Sequence, residues 1–257
     1  RKGSLLTSLF IFFLISSNTL ASDVDDILTL SQHHEWRALL HLSGNRSLIE
    51  DESFVAQSEN PAQFELKRAI STLSQSNMDQ KNAFICRFPA RSIWIRKRFS
   101  DVTFQDPEKT CPNFSEFRRK VPIDKIQLIY AYENITQPAS MMGHSFLQFQ
   151  GVGQNNTPVS HAISFYTEID SPNIPKLIFD SLVFGKQGYF TVSPYEEKLR
   201  QYNVSEQRNV VEYELELNDW QRRLISSHVW ELKDTNLTYY FHSFNCATLT
   251  NNLIGIA

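Results

Sequence analysis

HSFLQFQ, residues His144 to Gln150, has the length and aromatic content of a β-strand, and two similar segments flank it. KIQLIYAY (Lys125 to Tyr132) precedes it and HAISFYT (His161 to Thr167) follows, with Gly151, Gly153 and Asn155-Asn156 marking the turn between the last two. Further on, NVVEYELEL (Asn209 to Leu217) sets Val211, Tyr213, Leu215 and Leu217 against largely charged neighbours, the alternation of a half-buried strand. Asn218-Asp219 opens a helix through Trp220, Leu224, Ile225, Val229, Trp230 and Leu232, and Asn245 to Ile254 reads as a last helix. Upstream, residues 22–120 read as mainly helical. His34 to Leu42 is a short amphipathic run, and Asn60-Pro61 is a helix start with Phe64, Ile70 and Leu73 roughly on one face. The expected class is α+β: a helical region over 22–120 and a sheet-and-helix domain over 121–257.

A chain of 257 residues can bury a full core, and 41% hydrophobic with 21% charged residues is an ordinary globular balance. The net charge of -3, without a long Lys/Arg run, argues against a nucleic-acid partner. With 8 Gly and neither a dinucleotide fingerprint nor a P-loop, a nucleotide enzyme is not expected. Arg1-Lys2, the apolar stretch Leu5 to Ile15 and the small residues leading to Ala21 predict an export leader over 1–21. The apolar stretch falls short of the roughly 20 residues of a membrane helix; an uncleaved anchor is the alternative. The mature protein is therefore expected in the periplasm or outside the cell.

In that oxidising setting the 3 Cys leave one without a partner. Cys86 and Cys111 flank a segment rich in Arg and aromatics and are the expected bridge, which frees Cys246; the sequence does not prove the pairing. The stretch Arg87 to Arg98 is either a basic patch for anionic head groups or a helix whose Arg stems cover apolar surface, the commoner outcome. Two places carry chemistry. Gly143 leaves room for His144 to open a strand at a cleft. Asn245 is a good N-cap, so Cys246 falls in a first helical turn, where the macrodipole and free N–H groups favour a thiolate and can hold an oxyanion. Taken singly, each side chain has a bland alternative as a packed cysteine or a structural histidine. The seven His are scattered without ligand spacing, so neither a metal nor a cofactor is expected.

PASMMGHSFLQF (138–149), SPYEEKLRQYNVSEQRNVVEYELEL (193–217), HVWEL (228–232) and YYFHSFNCATL (239–249) together resemble the periplasmic domain of the Lnb family. CRFPARSIWI (86–95) and Cys111-Pro112 are similar to that family's N-terminal portion. Lnb-type proteins are bacterial lipoprotein N-acyltransferases. The resemblance implies a circularly permuted papain-like fold, related to NlpC-type and lecithin:retinol acyltransferase-like enzymes, in which histidine precedes cysteine. It implies His144 as general base and Cys246 as nucleophile, with a membrane phospholipid as acyl donor and a lipoprotein as acceptor. Gln148 stands where the family often has Arg, and Ser164-Phe165 where it often has Asn-Tyr. His161 on the neighbouring strand is the candidate to orient His144, and Asn245 and Ser145 are candidates for the oxyanion or substrate. A thiol hydrolase of the cell envelope and a non-catalytic envelope-binding module are the competing expectations.

Overall fold

The structure is a computed structural model that describes residues 26–134, 143–168 and 174–257. The expected leader over 1–21 and residues Pro138 to Met142 of the histidine loop lie outside the described residues.

The N-terminal region is helical, as read from the sequence. Helical residues 26–31 lead into α1 (His34–Leu39), a small hairpin of β1 (Leu42–Ser43) and β2 (Arg46–Ser47), then α2 (Pro61–Ser74), α3 (Met78–Arg87), α4 (Pro89–Arg98), α5 (Pro107–Thr110) and α6 (Pro112–Lys120). Four of these helices begin at proline, whose fixed φ suits a first turn where the missing N–H costs nothing. Asn60 caps α2 by accepting from the Gln63 amide. The buried face of α2 is Ala62, Leu66, Ala69 and Leu73, while Phe64 faces solvent, because the 3.6-residue period puts it across the helix from that row. Cys86 and Cys111 are bridged.

The cations of α4 are engaged by the protein's own groups, Arg91 in the interior and the others nearer the surface. Arg91 is fully buried, 3.5 Å from Glu65 and 3.9 Å from Glu231. Arg96 donates to the Phe104 carbonyl and Arg98 to Glu35, and Lys97 stands 4.0 Å over the Trp220 ring.

The remainder is a six-stranded antiparallel sheet with helices on both faces. Its strands are β3 (Lys125–Ala131), β4 (His144–Val152), β5 (Pro158–Thr167), β6 (Lys186–Pro194), β7 (Val210–Glu214) and β8 (Leu237–Tyr239), in the order β7-β3-β4-β5-β6-β8. Between them run α7 (Ile174–Val183), α8 (Tyr195–Arg200) with a π-helical turn Gln201–Ser205, α9 (Asp219–Leu232) and finally α10 (Cys246–Ile254). β7 stops at Glu214 as a short edge strand with Tyr213 exposed, while Leu215 and Leu217 beyond it are half-buried against the core, so the alternation expected through Leu217 holds except at Tyr213. β6 is not legible in the sequence, because its Gly188 and Pro194 look like loop residues. Gly188 is required by packing, since a Cβ there would lie 2.5 Å from the Phe165 ring.

Strand alternation divides the sheet into two covered faces. Leu147, Phe149, Ile163 and Phe165 face α9 and α10 and join the N-terminal helices in one continuous core. Ile129, Ala131, Phe146 and Ala162 face the other way, under Tyr195 and Tyr202. The helical region and the sheet domain therefore share one hydrophobic interior.

Candidate active site

Cys246 is the first residue of α10 and is an unbridged, buried thiol. Asn245 makes the cap: its Oδ1 accepts from the Thr248 amide at 3.1 Å and hydroxyl at 3.2 Å, and its Nδ2 donates to the Phe241 carbonyl at 2.7 Å. That amide holds the turn through Oδ1 and one of its two N–H hydrogens, and the backbone N–H groups that it orients are further donors available there.

Tyr239, at the end of β8, stands beside this turn. Its phenol is held above the ordinary tyrosine range by burial first and then by the electrostatics of the neighbouring Cys246. A phenol that keeps its proton is a donor to a thiolate or to an oxyanion forming next to it.

His144 opens β4, where Ala131 is its partner on β3. Gly143 before it is required by space, because a Cβ would collide with the Tyr130 hydroxyl. The imidazole stacks on Phe146 at 5.6 Å and lies 6.2 Å from the Tyr202 ring. Burial first, then the cations of Lys198 and Arg208, push it down to about 3, with Glu206 opposing. The resting imidazole is neutral. Arg208 donates to the carbonyls of Tyr132 and Ala131 and pairs with Glu206 at 2.9 Å, which pins the end of β3 beside His144.

His144 and Cys246 open elements that meet. The Thr250 hydroxyl, one turn along α10 from Cys246, donates to the Ser145 carbonyl at 3.3 Å. Tyr202 serves both residues: its ring lies against His144, and its phenol is raised by burial first and in part by the charge of Cys246. The two side chains, however, start from opposite faces of the sheet. His144 shares the face of Phe146, whereas α10 packs on the face of Leu147 and Phe149. No hydrogen bond joins imidazole and thiol among the described residues. Ser145 does point toward α10, and its Oγ is buried without a hydrogen-bond partner.

His161 does not belong to this site. It pairs with Phe149, five residues along β4 from His144 in the antiparallel register, which at 3.4 Å per residue is about 17 Å away. It lines a cleft of about 790 Å³ with Asp124, Lys125, Gln150, Glu196 and Arg200 at the other end of the sheet. The candidate role of orienting His144 is corrected on that ground. Tyr202, Tyr239, Arg208, Glu206 and Lys198 were not singled out from the sequence, although all but Tyr239 lie within the 193–217 string that carried the resemblance.

The model of the Lnb N-terminal periplasmic domain matches residues 113–257, more than half of the chain. The chain belongs to that family. A family of periplasmic domains makes it a periplasmic envelope protein, in agreement with the resemblance read from its motifs. A second model, of a domain of unknown function, matches residues 28–98. The Lnb domain boundary at 113 takes in α6 as well as the sheet. No curated protein and no solved structure matches the chain. Among the described residues no helix is long and apolar enough to cross a membrane.

Proposed function

We propose that this Lnb-family protein is a thiol acyltransferase that moves a phospholipid acyl chain onto the α-amine of a lipoprotein, on a permuted papain-like fold. The observation that carries the proposal is a free, buried cysteine in the capped first turn of a helix that packs on the histidine strand. In the first half-reaction the Cys246 thiol loses its proton to His144, and the sulfur attacks the ester carbonyl. The carbonyl electron pair forms an oxyanion facing the helix N–H groups and the Tyr239 hydroxyl. Collapse expels the glycerol oxygen, which takes the proton from His144, and leaves a thioester. In the second, the amine attacks the thioester, gives its proton to His144, and the thiol is restored. For this transfer His144, the first residue of its strand, has to bring its ring past Tyr202 to the thiol.

A membrane donor fits the surface. Phe179, Val183 and Phe184, at the end of α7 and just after it, are 58%, 53% and 71% exposed, a cluster of apolar side chains that soluble surfaces seldom carry. They lead into the start of β6, where Lys186 pairs with Tyr239, so the patch borders the end of the sheet that holds the thiol. The test is acylation of a diacylated lipoprotein in phospholipid vesicles. Cys246→Ala should fold normally and lose transfer by at least about 10³-fold, the scale of a lost nucleophile. Retained N-acylation in that variant sinks the mechanism, and free fatty acid released without an amine present identifies a hydrolase instead.

A further inference from the structure

Between the N-terminal helices and the sheet domain runs a row of hydrogen bonds that acyl transfer does not use. Asn252 Nδ2 lies 3.2 Å from His41 Nδ1, His41 Nε2 lies 2.9 Å from His228 Nε2, and His228 Nδ1 lies 2.7 Å from Glu231 Oε2. His41, His228 and Glu231 are fully buried. The two ends fix the protons. A carboxylate accepts only, so His228 Nδ1 carries the hydrogen and its Nε2 accepts. His41 Nε2 must then donate, which leaves His41 Nδ1 to accept from the Asn252 amide. Both rings are neutral, and every N–H points toward Glu231.

His41 occupies its position against backbone preference. It follows α1 with φ +50°, the left-handed region where glycine ends a helix without strain. What the imidazole touches gives the reason. Its ring lies 5.9 Å from Phe244, two residues before Cys246, and it bonds Asn252 near the other end of α10. A residue of the N-terminal region thus grips both ends of the helix that carries the thiol.

We infer that the row Asn252–His41–His228–Glu231 is a positioning device for the Cys246 helix, closed only while both imidazoles are neutral. A proton on His228 Nε2 would set two donors against each other, and one on His41 Nδ1 would oppose the Asn252 amide. The groups facing the row from the packed elements are Arg91 on α4, Arg87 on α3, Glu231 on α9 and Glu65 on α2, the last paired with Arg91. The two arginines act against a charge on the rings, and Glu231 is already occupied by His228 and by the Arg91 amide. His41, His228 and Asn252 act through α10 and are positioning residues. The inference deepens the acyltransferase proposal and rests on it only for its bearing on catalysis.

The test follows labelling of Cys246 by 4,4′-dithiodipyridine in the full chain, as a ratio to the rate in urea at the same pH, which removes the ionisation common to both. In the unaltered protein the ratio should be level above about pH 6.5 and rise roughly tenfold by about pH 5, as the opened row, whose imidazoles titrate near the ordinary value, gains protons that the closed row cannot hold. His41→Gln should give a high ratio at every pH. Asn252→Asp, a conservative change that offers a carboxylate to a protonated Nδ1, should move the rise about one unit lower. A ratio level from neutral to acid, or an Asn252→Asp profile superimposed on that of the unaltered chain, overturns the inference. Labelling needs no acyl donor, so its failure is distinct from failure of Cys246→Ala to abolish transfer.

Discussion

At the residue scale the site turns on how a buried thiol is kept reactive. The phenols of Tyr239 and Tyr202 both lie within electrostatic reach of Cys246, and a Tyr239 phenol that keeps its proton can donate to a thiolate there. Removing one hydrogen bond to a charged group costs about 1.5–3 kcal/mol. Tyr239→Phe should therefore slow labelling of Cys246 at neutral pH by roughly tenfold or more while leaving the fold unchanged, the measurement being the second-order rate with a small disulfide reagent. An unchanged rate would remove Tyr239 from the site. Tyr239 opens the 239–249 string that carried the resemblance, but nothing local marks it as a neighbour of the thiol, which it meets only across the bend of six residues between β8 and α10.

At the element scale α10 is held by its cap and by its packing on β4. Asn245 satisfies the Thr248 amide and ties its own Nδ2 to Phe241, so Asn245→Ala should cost about 1 kcal/mol of stability. It should also lower acyl transfer by roughly tenfold, because the nucleophile sits in the turn that frays. Urea unfolding and an activity assay on the same preparation check both, and a variant with unaltered activity would show that the cap is structural only. The cap was legible in the sequence, since Asn ahead of an apolar run is a local signal. The face of the sheet to which His144 points was not, because it depends on the register of β4 with β3 and β5.

Across the whole molecule, the buried His41 and His228 and the half-buried His144 set a common response to acid. His41 and His228 lie below the ordinary imidazole range through burial first, and His144 is at about 3 for the same reason. Each binds a proton in the unfolded chain near pH 6.5 but in the folded one only at lower pH, so stability is complete above that value and falls as pH drops below it. With three such groups the slope reaches about 4 kcal/mol per pH unit. Urea midpoints should fall steeply between about pH 6.5 and about pH 5, and His228→Gln should flatten the fall by about a third if it folds. A midpoint that stays level over this range would show that the rings accept protons in place.

Local chemistry along the chain determined a good deal of this protein. The three central strands, the helix through Leu232, the capped Cys246 turn and the motifs of the Lnb domain all rest on neighbours a few residues apart, where period and capping suffice, while thiol parity made Cys86–Cys111 the expected bridge without proving it. Tertiary structure alone decided the rest. It put His161 far along the sheet from His144, set the His144 ring and the Cys246 helix on opposite faces, and drew His41 across the molecule to α10. Those outcomes follow from strand register and from the shared core, both of which are settled by contacts between residues remote in sequence. A one-residue change in register would send every side chain of β4 to the other face, and no local pattern encodes that choice.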